Sequence, residues 1–329
     1  MNRMFLALRS MVVALAVSAL AVPAFAQEFR LLSSWDKNYA YNPHMLDPFI
    51  KGVETGSNGR IKFVVNGPET VPPFEQLEPV SSGVFQFLFT HGSYHFGTTP
   101  AMTVVEALQG DLAAIRKSGL LDMLDKHYQK YQLKLVMLAI SPEGAYNIIL
   151  RNPVNAQGDL AGRKIRGIST YGGVVKMLNG AMTVLPVGDV YTGLEKGLID
   201  GTAWPIIGAL DYRWNEVAKH LLRPGFGINY EPLFMNLAAW NKLSKQDQQL
   251  MLNVARKVED DWHKNAQAVW KKEEALLLSK GMSITEMGSA QKQKLSAAWS
   301  SGLLETGAAK DPKFTAELRK FATEKGLLK

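Results

Sequence analysis

The 329-residue chain contains no cysteine, so it has neither a disulfide framework nor a cysteine nucleophile. It also lacks the motifs G-x-S-x-G, G-x-x-x-x-G-K-[ST] and H-E-x-x-H, which mark common classes of enzyme. Its lysines and arginines are spread along the chain without interleaved aromatic side chains, a pattern that argues against nucleic-acid binding. These absences predict a protein without enzymatic activity, without a cofactor and without a nucleic-acid partner.

Long apolar runs are missing after the N-terminus. At the N-terminus itself, Arg3 and Arg9 precede an apolar run at 11–22, which is followed by Ala24-Phe25-Ala26. The run is shorter than the ~20 residues of a membrane span, and the small residues favour cleavage, so a signal peptide over 1–26 is predicted instead of a membrane anchor. With no cysteine at the junction, a lipid anchor is excluded. The predicted mature chain has 35 basic and 30 acidic residues and is expected in the periplasm.

Apolar segments alternate with helical patterns in a way that predicts an α/β fold. In the first part of the chain, strands are predicted at 29–35, 61–65 and 84–90, separated by helices at 43–55 and 74–82. This β-α-β-α-β order is typical of a parallel sheet covered by helices. Further along, a helix is predicted at 115–130 and strands at 133–140, 146–151, 164–168, 181–185 and 233–240. A mature length just over 300 residues indicates two domains.

A long helix is predicted over 244–280. The segment contains no glycine or proline before Gly281, and it opens with S-K-Q-D, which resembles a capping box. A helix of about 37 residues is about 55 Å long, more than one small domain needs, so it is expected to span both domains. Short helices are predicted in the remainder, 281–329.

Arg166 is the main candidate for a binding residue. It follows Ile165 on a predicted strand and precedes Gly167, where backbone can approach a ligand closely. A guanidinium presents a rigid fork that matches a carboxylate with two parallel hydrogen bonds. The alternative is a surface arginine paired with a carboxylate of the protein. Trp204, where the chain crosses back after a helix, is predicted either to pack on the body of a ligand or to join the core.

Other aromatic and imidazole side chains remain open between ligand contact and packing. Trp35 and Tyr146 lie at strand ends in the two halves, so both can face a shared cleft, and Tyr191 opens a predicted helix. His91 and His95 are four residues apart, a spacing that suits a metal on a helix. Because they follow a strand and lack an obvious third ligand, a cleft-facing loop with His91 or Ser93 as a hydrogen-bond donor is preferred, and no metal site is predicted.

Three segments resemble the solute-binding proteins of tripartite ATP-independent periplasmic (TRAP) transporters, the DctP-type family. They are D-L-A-G-R-K-I-R at 159–166, V-Y-T-G-L at 190–194 and G-L-I-D-G at 197–201, followed by Pro205. The resemblance covers nearly the whole mature chain. It implies a clamshell of two α/β domains with a hinge, braced by a long helix, and a membrane permease as partner. The implied domains are 27–145 with 233–250, and 146–232, in a monomer.

The resemblance also implies that Arg166 pairs with a ligand carboxylate. Trp204 stands where the family often has asparagine, and Tyr146 where sialate binders have arginine. These departures argue against sialic acid and a dianionic dicarboxylate. They favour a monocarboxylate with an apolar or aromatic body, such as a hydroxy- or keto-acid. The candidate ligand-binding set is Arg166, Trp204, Tyr146, Trp35, His91, Thr70, Val187 and Tyr191.

Two alternatives stay open from the sequence. One is a C4-dicarboxylate or a sugar acid as the ligand in the same role. The other is a binding protein that serves an ATP-driven importer or a sensor kinase instead of a TRAP permease.

Overall fold

The computed structural model describes residues 26–328. The predicted signal peptide therefore lies outside the described residues, apart from Ala26. The described strands are β1 (Gln27–Ser33), β2 (Ile61–Asn66), β3 (Phe87–Phe89), β4 (Leu133–Ile140), β5 (Tyr146–Leu150), β6 (Lys164–Arg166), β7 (Ala181–Thr183), β8 (Gly201–Pro205), β9 (His220–Phe226), β10 (Tyr230–Asn236) and β11 (Ser283–Glu286).

The described helices alternate with these strands. They are α1 (Leu46–Gly56), α2 (Leu77–Ser81), α3 (Ala101–Val105), α4 (Leu112–Ser118), α5 (Leu120–Gln129), α6 (Gly172–Met177), α7 (Val190–Glu195), α8 (Trp214–Val217), α9 (Leu237–Lys242), α10 (Lys245–Ser279), α11 (Ser289–Lys310) and α12 (Pro312–Glu324). No described helix is both long and apolar enough to cross a membrane.

The strands form two sheets, which we call sheet A and sheet B. Sheet A has the order β2-β1-β3-β10-β4, and β1 runs parallel to β2 and β3, as the β-α-β-α-β pattern predicts. Sheet B has the order β11-β9-β5-β8-β6-β7. The chain passes from sheet A to sheet B between β4 and β5 and returns between β9 and β10. The result is the expected two-domain α/β fold, with a sheet-A domain and a sheet-B domain.

Three local expectations are wrong in detail. The single helix expected over 115–130 is broken into α4 and α5, because Gly119 adopts a left-handed conformation with φ of 89°. The strand expected at 233–240 ends at Asn236, whose side chain accepts a hydrogen bond from the Ala239 amide (3.0 Å) and caps α9. The segment after 281 is not entirely helical, since β11 pairs with β9 in sheet B.

The long helix is confirmed as α10, which contains 35 residues. It begins at the expected cap, where the Ser244 hydroxyl accepts a hydrogen bond from the Asp247 amide (3.0 Å). Its first part packs on α1 and β4 of the sheet-A domain. Near its end, Glu273 accepts from the Leu210 amide (3.3 Å), and Glu274 pairs with Arg223 of β9. The helix therefore braces both domains.

A second brace is α11, which packs on α6 of the sheet-B domain and on α3 of the sheet-A domain. The contact with α6 depends on two facing glycines, Gly173 and Gly302. A Cβ atom added at Gly173 would lie 2.5 Å from the Ala298 carbonyl oxygen and 2.8 Å from the Gly302 Cα. Because both obstacles are backbone, neither side chain rotation nor a small shift relieves the clash.

We expect Gly173→Val to lower the free energy of unfolding by about 1–3 kcal/mol or more, as overpacking does. Valine adds two methyl groups beyond the obstructed Cβ, so α6 and α11 must separate. Denaturant unfolding followed by circular dichroism measures the effect. The matched control is Gly97→Val, because Gly97 is exposed and an added Cβ meets nothing within 4 Å. Equal stability of the two variants would contradict the close helix contact.

Candidate ligand-binding site

Arg166 ends β6, which lies between β7 and β8 in sheet B, and its side chain is fully buried. Nε donates to the Leu185 carbonyl (3.0 Å), and Nη1 lies 3.5 Å from the Ala203 carbonyl. Nη2 has no hydrogen-bond partner among residues 26–328, and none of the ion pairs in that range includes Arg166. The guanidinium is thus a buried cation without a protein anion.

Trp204, in β8, stands directly beside this cation. The guanidinium carbon lies 5.2 Å from the centroid of the Trp204 ring, within the range of a cation–π contact. The indole is 3% exposed, and its Nε1 donates to the Ile207 carbonyl (3.2 Å). The Trp204 ring therefore contacts the guanidinium through a cation–π interaction, while the carbonyls of Leu185 and Ala203 lie at the nitrogen atoms on the edge of the guanidinium.

The sheet-A domain contributes an aromatic wall. Trp35 stacks on Tyr39 with ring centroids 4.9 Å apart, and it lies 6.1 Å from Tyr94. Burial raises the pKa of the Tyr94 hydroxyl to about 12, and the nearby Arg166 guanidinium opposes this shift. Tyr94 and Arg166 therefore face each other across the domain boundary. The Trp35 Nε1 and Tyr39 hydroxyl groups have no partner within the described chain.

His91 follows β3 and joins the two domains through Tyr146. Its Nδ1 accepts a hydrogen bond from the Ser93 amide (3.2 Å), which places the proton on Nε2. Nε2 then donates to the Tyr146 hydroxyl (2.8 Å), and that hydroxyl donates to Oε2 of Glu106 (3.2 Å). Burial lowers the pKa of His91, so the imidazole is a neutral donor. His91 is thus the buried hydrogen-bond donor of a loop between the domains.

Two carboxyl groups lie deep in the same region. Glu106 is 1% exposed, and burial raises its pKa well above the usual range. Glu231, in β10, is also 1% exposed, and burial raises its pKa to about 8. Oε1 of Glu231 accepts from the Asn229 side chain (3.0 Å), while Oε2 has no partner in residues 26–328. These acids do not neutralise Arg166.

A hydroxyl pair crosses the domain boundary beside these groups. The Thr170 hydroxyl, from the sheet-B domain, donates to the Ser93 hydroxyl of the sheet-A domain (2.6 Å). Thr103 also donates to Ser93 (2.9 Å). The two domains are therefore in direct contact around the buried polar groups.

The structure brings Arg166, Trp204, Trp35, His91 and Tyr146 together, and it places two other candidates, Thr70 and Tyr191, away from them. Thr70 is exposed in a turn after β2. Tyr191 points its hydroxyl to Glu216 (3.2 Å), and Val187 packs in the core. Among the described residues, no group of three or more His, Cys, Asp or Glu side chains is placed to hold a metal ion.

Several residues of this site were not singled out from the sequence. They are Tyr39, Tyr94, Glu106 and Glu231. A signal existed for the two acids, because each interrupts an otherwise apolar segment, A-M-T-V-V-E-A-L and Y-E-P-L-F-M. A charged side chain in a buried segment is uncommon unless it is paired or functional. The tyrosines carried no comparable signal.

A curated relative of this chain is described as a periplasmic binding protein. The chain is 27% identical over 243 residues to a "Monocarboxylate 2-oxoacid-binding periplasmic protein" from Nostoc sp., a match of 68% of this chain and 63% of that relative. The chain thus spans less than two thirds of that relative's length.

Solved structures share the fold at low identity. A TRAP periplasmic solute-binding protein from Desulfovibrio salexigens with bound orotic acid has a TM-score of 0.80 at 18% identity, covering 91% of this chain and 98% of that one. The periplasmic ectoine-binding protein of a TRAP transporter from Halomonas elongata has a TM-score of 0.76 at 19% identity, covering 91% and 99%.

A family model provides the assignment. The model for the bacterial extracellular solute-binding proteins of family 7, DctP, matches residues 37–307, which is most of the chain. Members of this family are receptors for solutes and not enzymes. The match includes β6 with Arg166 and β8 with Trp204, and it excludes β1 and Trp35. The chain therefore belongs to the DctP family of bacterial extracellular solute-binding proteins.

Proposed function

We propose that this protein is a periplasmic receptor that binds an organic monocarboxylate between its two domains, with Arg166 as the partner of the carboxylate. One observation carries the proposal: the guanidinium is fully buried and has no ion-pair partner among the described residues. An unpaired buried charge costs several kcal/mol, so a bound anion stabilises the closed domains. The free Nη2 leaves one arm of the fork for a carboxylate oxygen.

The surroundings of Arg166 favour a single carboxylate. A second ligand carboxylate in this interior would lack a cationic partner, because Arg166 is the one buried lysine or arginine among residues 26–328 and His91 is neutral. The adjacent surfaces of Trp35 and Trp204 suit an apolar or aromatic body. The Tyr39 hydroxyl and the Trp35 Nε1, which have no partner within the described chain, offer donors for a hydroxyl or keto oxygen. A hydroxy- or keto-acid combines these features.

The named relatives support this class. The Nostoc relative is described as binding monocarboxylate 2-oxoacids, and a neighbour by fold holds orotic acid. Other neighbours hold malonate or L-galactonate, which keeps a small dicarboxylate or a sugar acid as the second candidate. We propose the dicarboxylate as the second candidate because the described interior contains one buried guanidinium and no second buried lysine or arginine.

Binding is proposed to involve closure of two domains, 27–145 with 233–250 and 146–232, around a hinge. The crossings between β4 and β5 and between β9 and β10 supply the two hinge strands. The loaded receptor is proposed to act as a monomer that delivers its ligand to a TRAP-type permease. Export to the periplasm would depend on the signal peptide at 1–26.

The proposal is tested with two five-carbon acids, 2-oxopentanoate and 2-oxoglutarate, in isothermal titration calorimetry. We expect 2-oxopentanoate to bind at least about tenfold more tightly, because burying a second carboxylate without a cationic partner costs about 1.4 kcal/mol or more. Mass spectrometry of material that co-purifies with the protein identifies the natural ligand. Tighter binding of 2-oxoglutarate, or binding of neither acid together with a co-purified ligand that lacks a carboxylate, would contradict the proposal.

A further inference from the structure

A cavity opens at the boundary between the domains, next to the aromatic wall of the Arg166 site. Its volume is about 580 Å³. The sheet-A domain lines it with Asp36, Tyr39 and Glu69, and the sheet-B domain lines it with Asp211 and Tyr212. The three acidic residues are exposed, so the cavity reaches solvent. We call it the mouth cavity.

The mouth cavity and Arg166 share one aromatic partition. Trp204, which contacts the guanidinium, lies 6.3 Å from Tyr39 and 6.1 Å from Tyr212, ring centroid to ring centroid. Tyr39 is 2% exposed, and its hydroxyl has no hydrogen-bond partner in the described chain. The Tyr212 hydroxyl is likewise buried and unpartnered there. Each of these hydroxyls can therefore form a hydrogen bond with a polar molecule at this partition.

The charge of the mouth cavity is opposite to that of the Arg166 site. Asp36, Glu69 and Asp211 contribute three carboxylates, and Lys37 is the one cationic side chain among the lining residues. None of the three carboxylates takes part in an ion pair among residues 26–328. Since they come from both domains, they meet only when the domains are closed. Arg166 thus contacts the aromatic partition through Trp204, whereas the three carboxylates line the mouth cavity together with Tyr39 and Tyr212.

We propose that Asp36, Glu69 and Asp211 select the ligand by the end that points away from Arg166, favouring a positively charged or hydrogen-bond-donating group there. This inference rests on the proposed function and narrows its ligand class to carboxylates with such a group at the far end. Opposite charges attract across the mouth, whereas a second carboxylate is repelled by all three acids.

Three six-carbon probes of equal length test the selection: hexanoate, 6-aminohexanoate and adipate. They differ only in the far end, which is neutral, positive or negative. In calorimetry at low salt we expect 6-aminohexanoate to bind about three- to tenfold more tightly than hexanoate, with adipate weakest. Because the acids are exposed, the preference should shrink as salt is raised to 0.5 M.

Two variants are compared, and in each of them three carboxylates are replaced by uncharged amides. Asp36→Asn/Glu69→Gln/Asp211→Asn should bring 6-aminohexanoate and hexanoate to within about twofold of each other, because the attraction is lost. Asp122→Asn/Glu305→Gln/Glu324→Gln removes three exposed carboxylates that do not line the mouth cavity, and it should keep the wild-type preference.

The outcomes separate the two proposals. Equal binding of 6-aminohexanoate and hexanoate by the wild type, or a preference that survives in the mouth variant, overturns the inference and leaves the Arg166 site intact. Binding of 2-oxopentanoate without binding of any six-carbon probe also overturns it. A protein that binds no carboxylate at all contradicts the proposed function itself.

Discussion

Arg166→Ala is expected to weaken the binding of 2-oxopentanoate by about 2–5 kcal/mol, or roughly 30- to several-thousand-fold. The variant removes the buried cation that we propose to pair with the carboxylate, and nothing in the nearby chain replaces it. Arg163, three residues earlier in the chain, does not replace Arg166, because its guanidinium donates to the carbonyls of Asn152 and Pro153 at the surface. Calorimetry of the purified variant measures the loss.

Two further variants make this result specific. Arg163→Ala is the matched control, three residues away on the same segment, and it should bind like the wild type. Arg166→Lys keeps the charge but loses the planar fork and the contact with the Trp204 face, so it should also bind more weakly. Near-wild-type affinity of Arg166→Ala would remove this residue from the site, provided that thermal unfolding shows the variant to be folded.

Trp262→Ala is expected to lower the free energy of unfolding by about 3–5 kcal/mol, the range for a large buried aromatic residue. Trp262 lies on α10, is 1% exposed, and packs edge-on against Tyr41 with ring centroids 5.1 Å apart. Its Nε1 also donates to the hydroxyl of Ser141 (3.1 Å), where the chain leaves β4 for the sheet-B domain. The variant therefore leaves a cavity beside a domain crossing.

The control for Trp262 is Leu276→Ala on the same helix. Leu276 is 40% exposed, so its truncation should change stability by no more than about 0.5 kcal/mol. Urea unfolding of both variants, with the same probe, gives the comparison. A similar small change in both would show that α10 is not anchored through Trp262.

Local sequence patterns predicted those helices and strands that are determined by residues close together in the chain. The alternation of apolar segments gave the parallel start of sheet A, and the uninterrupted segment after Ser244 gave α10 with its cap. These features follow from backbone geometry and from side chains a few residues apart, so they are visible along the chain. Boundaries were less predictable: Gly119 ended a helix and Asn236 ended a strand because each has a local conformation that periodicity does not show.

The sequence patterns predicted only part of the candidate site. Arg166 and Trp204 were found through a family-like segment, yet which face each presents depends on sheet B as a whole. Thr70 and Tyr191 were chosen from the same patterns, and the structure places one in solvent and the other beside Glu216. Side-chain direction at a strand end or helix start changes with a shift of one residue, which sequence alone does not resolve.

By itself, the sequence determined an α/β protein with a long bracing helix, no enzyme motif and one strong candidate for holding an anion. Tertiary structure alone decided that Arg166 is buried without an ion-pair partner among the described residues, that Glu106 and Glu231 lie in the same interior, and that Asp36, Glu69 and Asp211 meet at one opening. These groups are tens to hundreds of residues apart in the chain. They come together only because folding packs distant segments side by side, and burial or exposure then decides how strongly each charge acts on its neighbours.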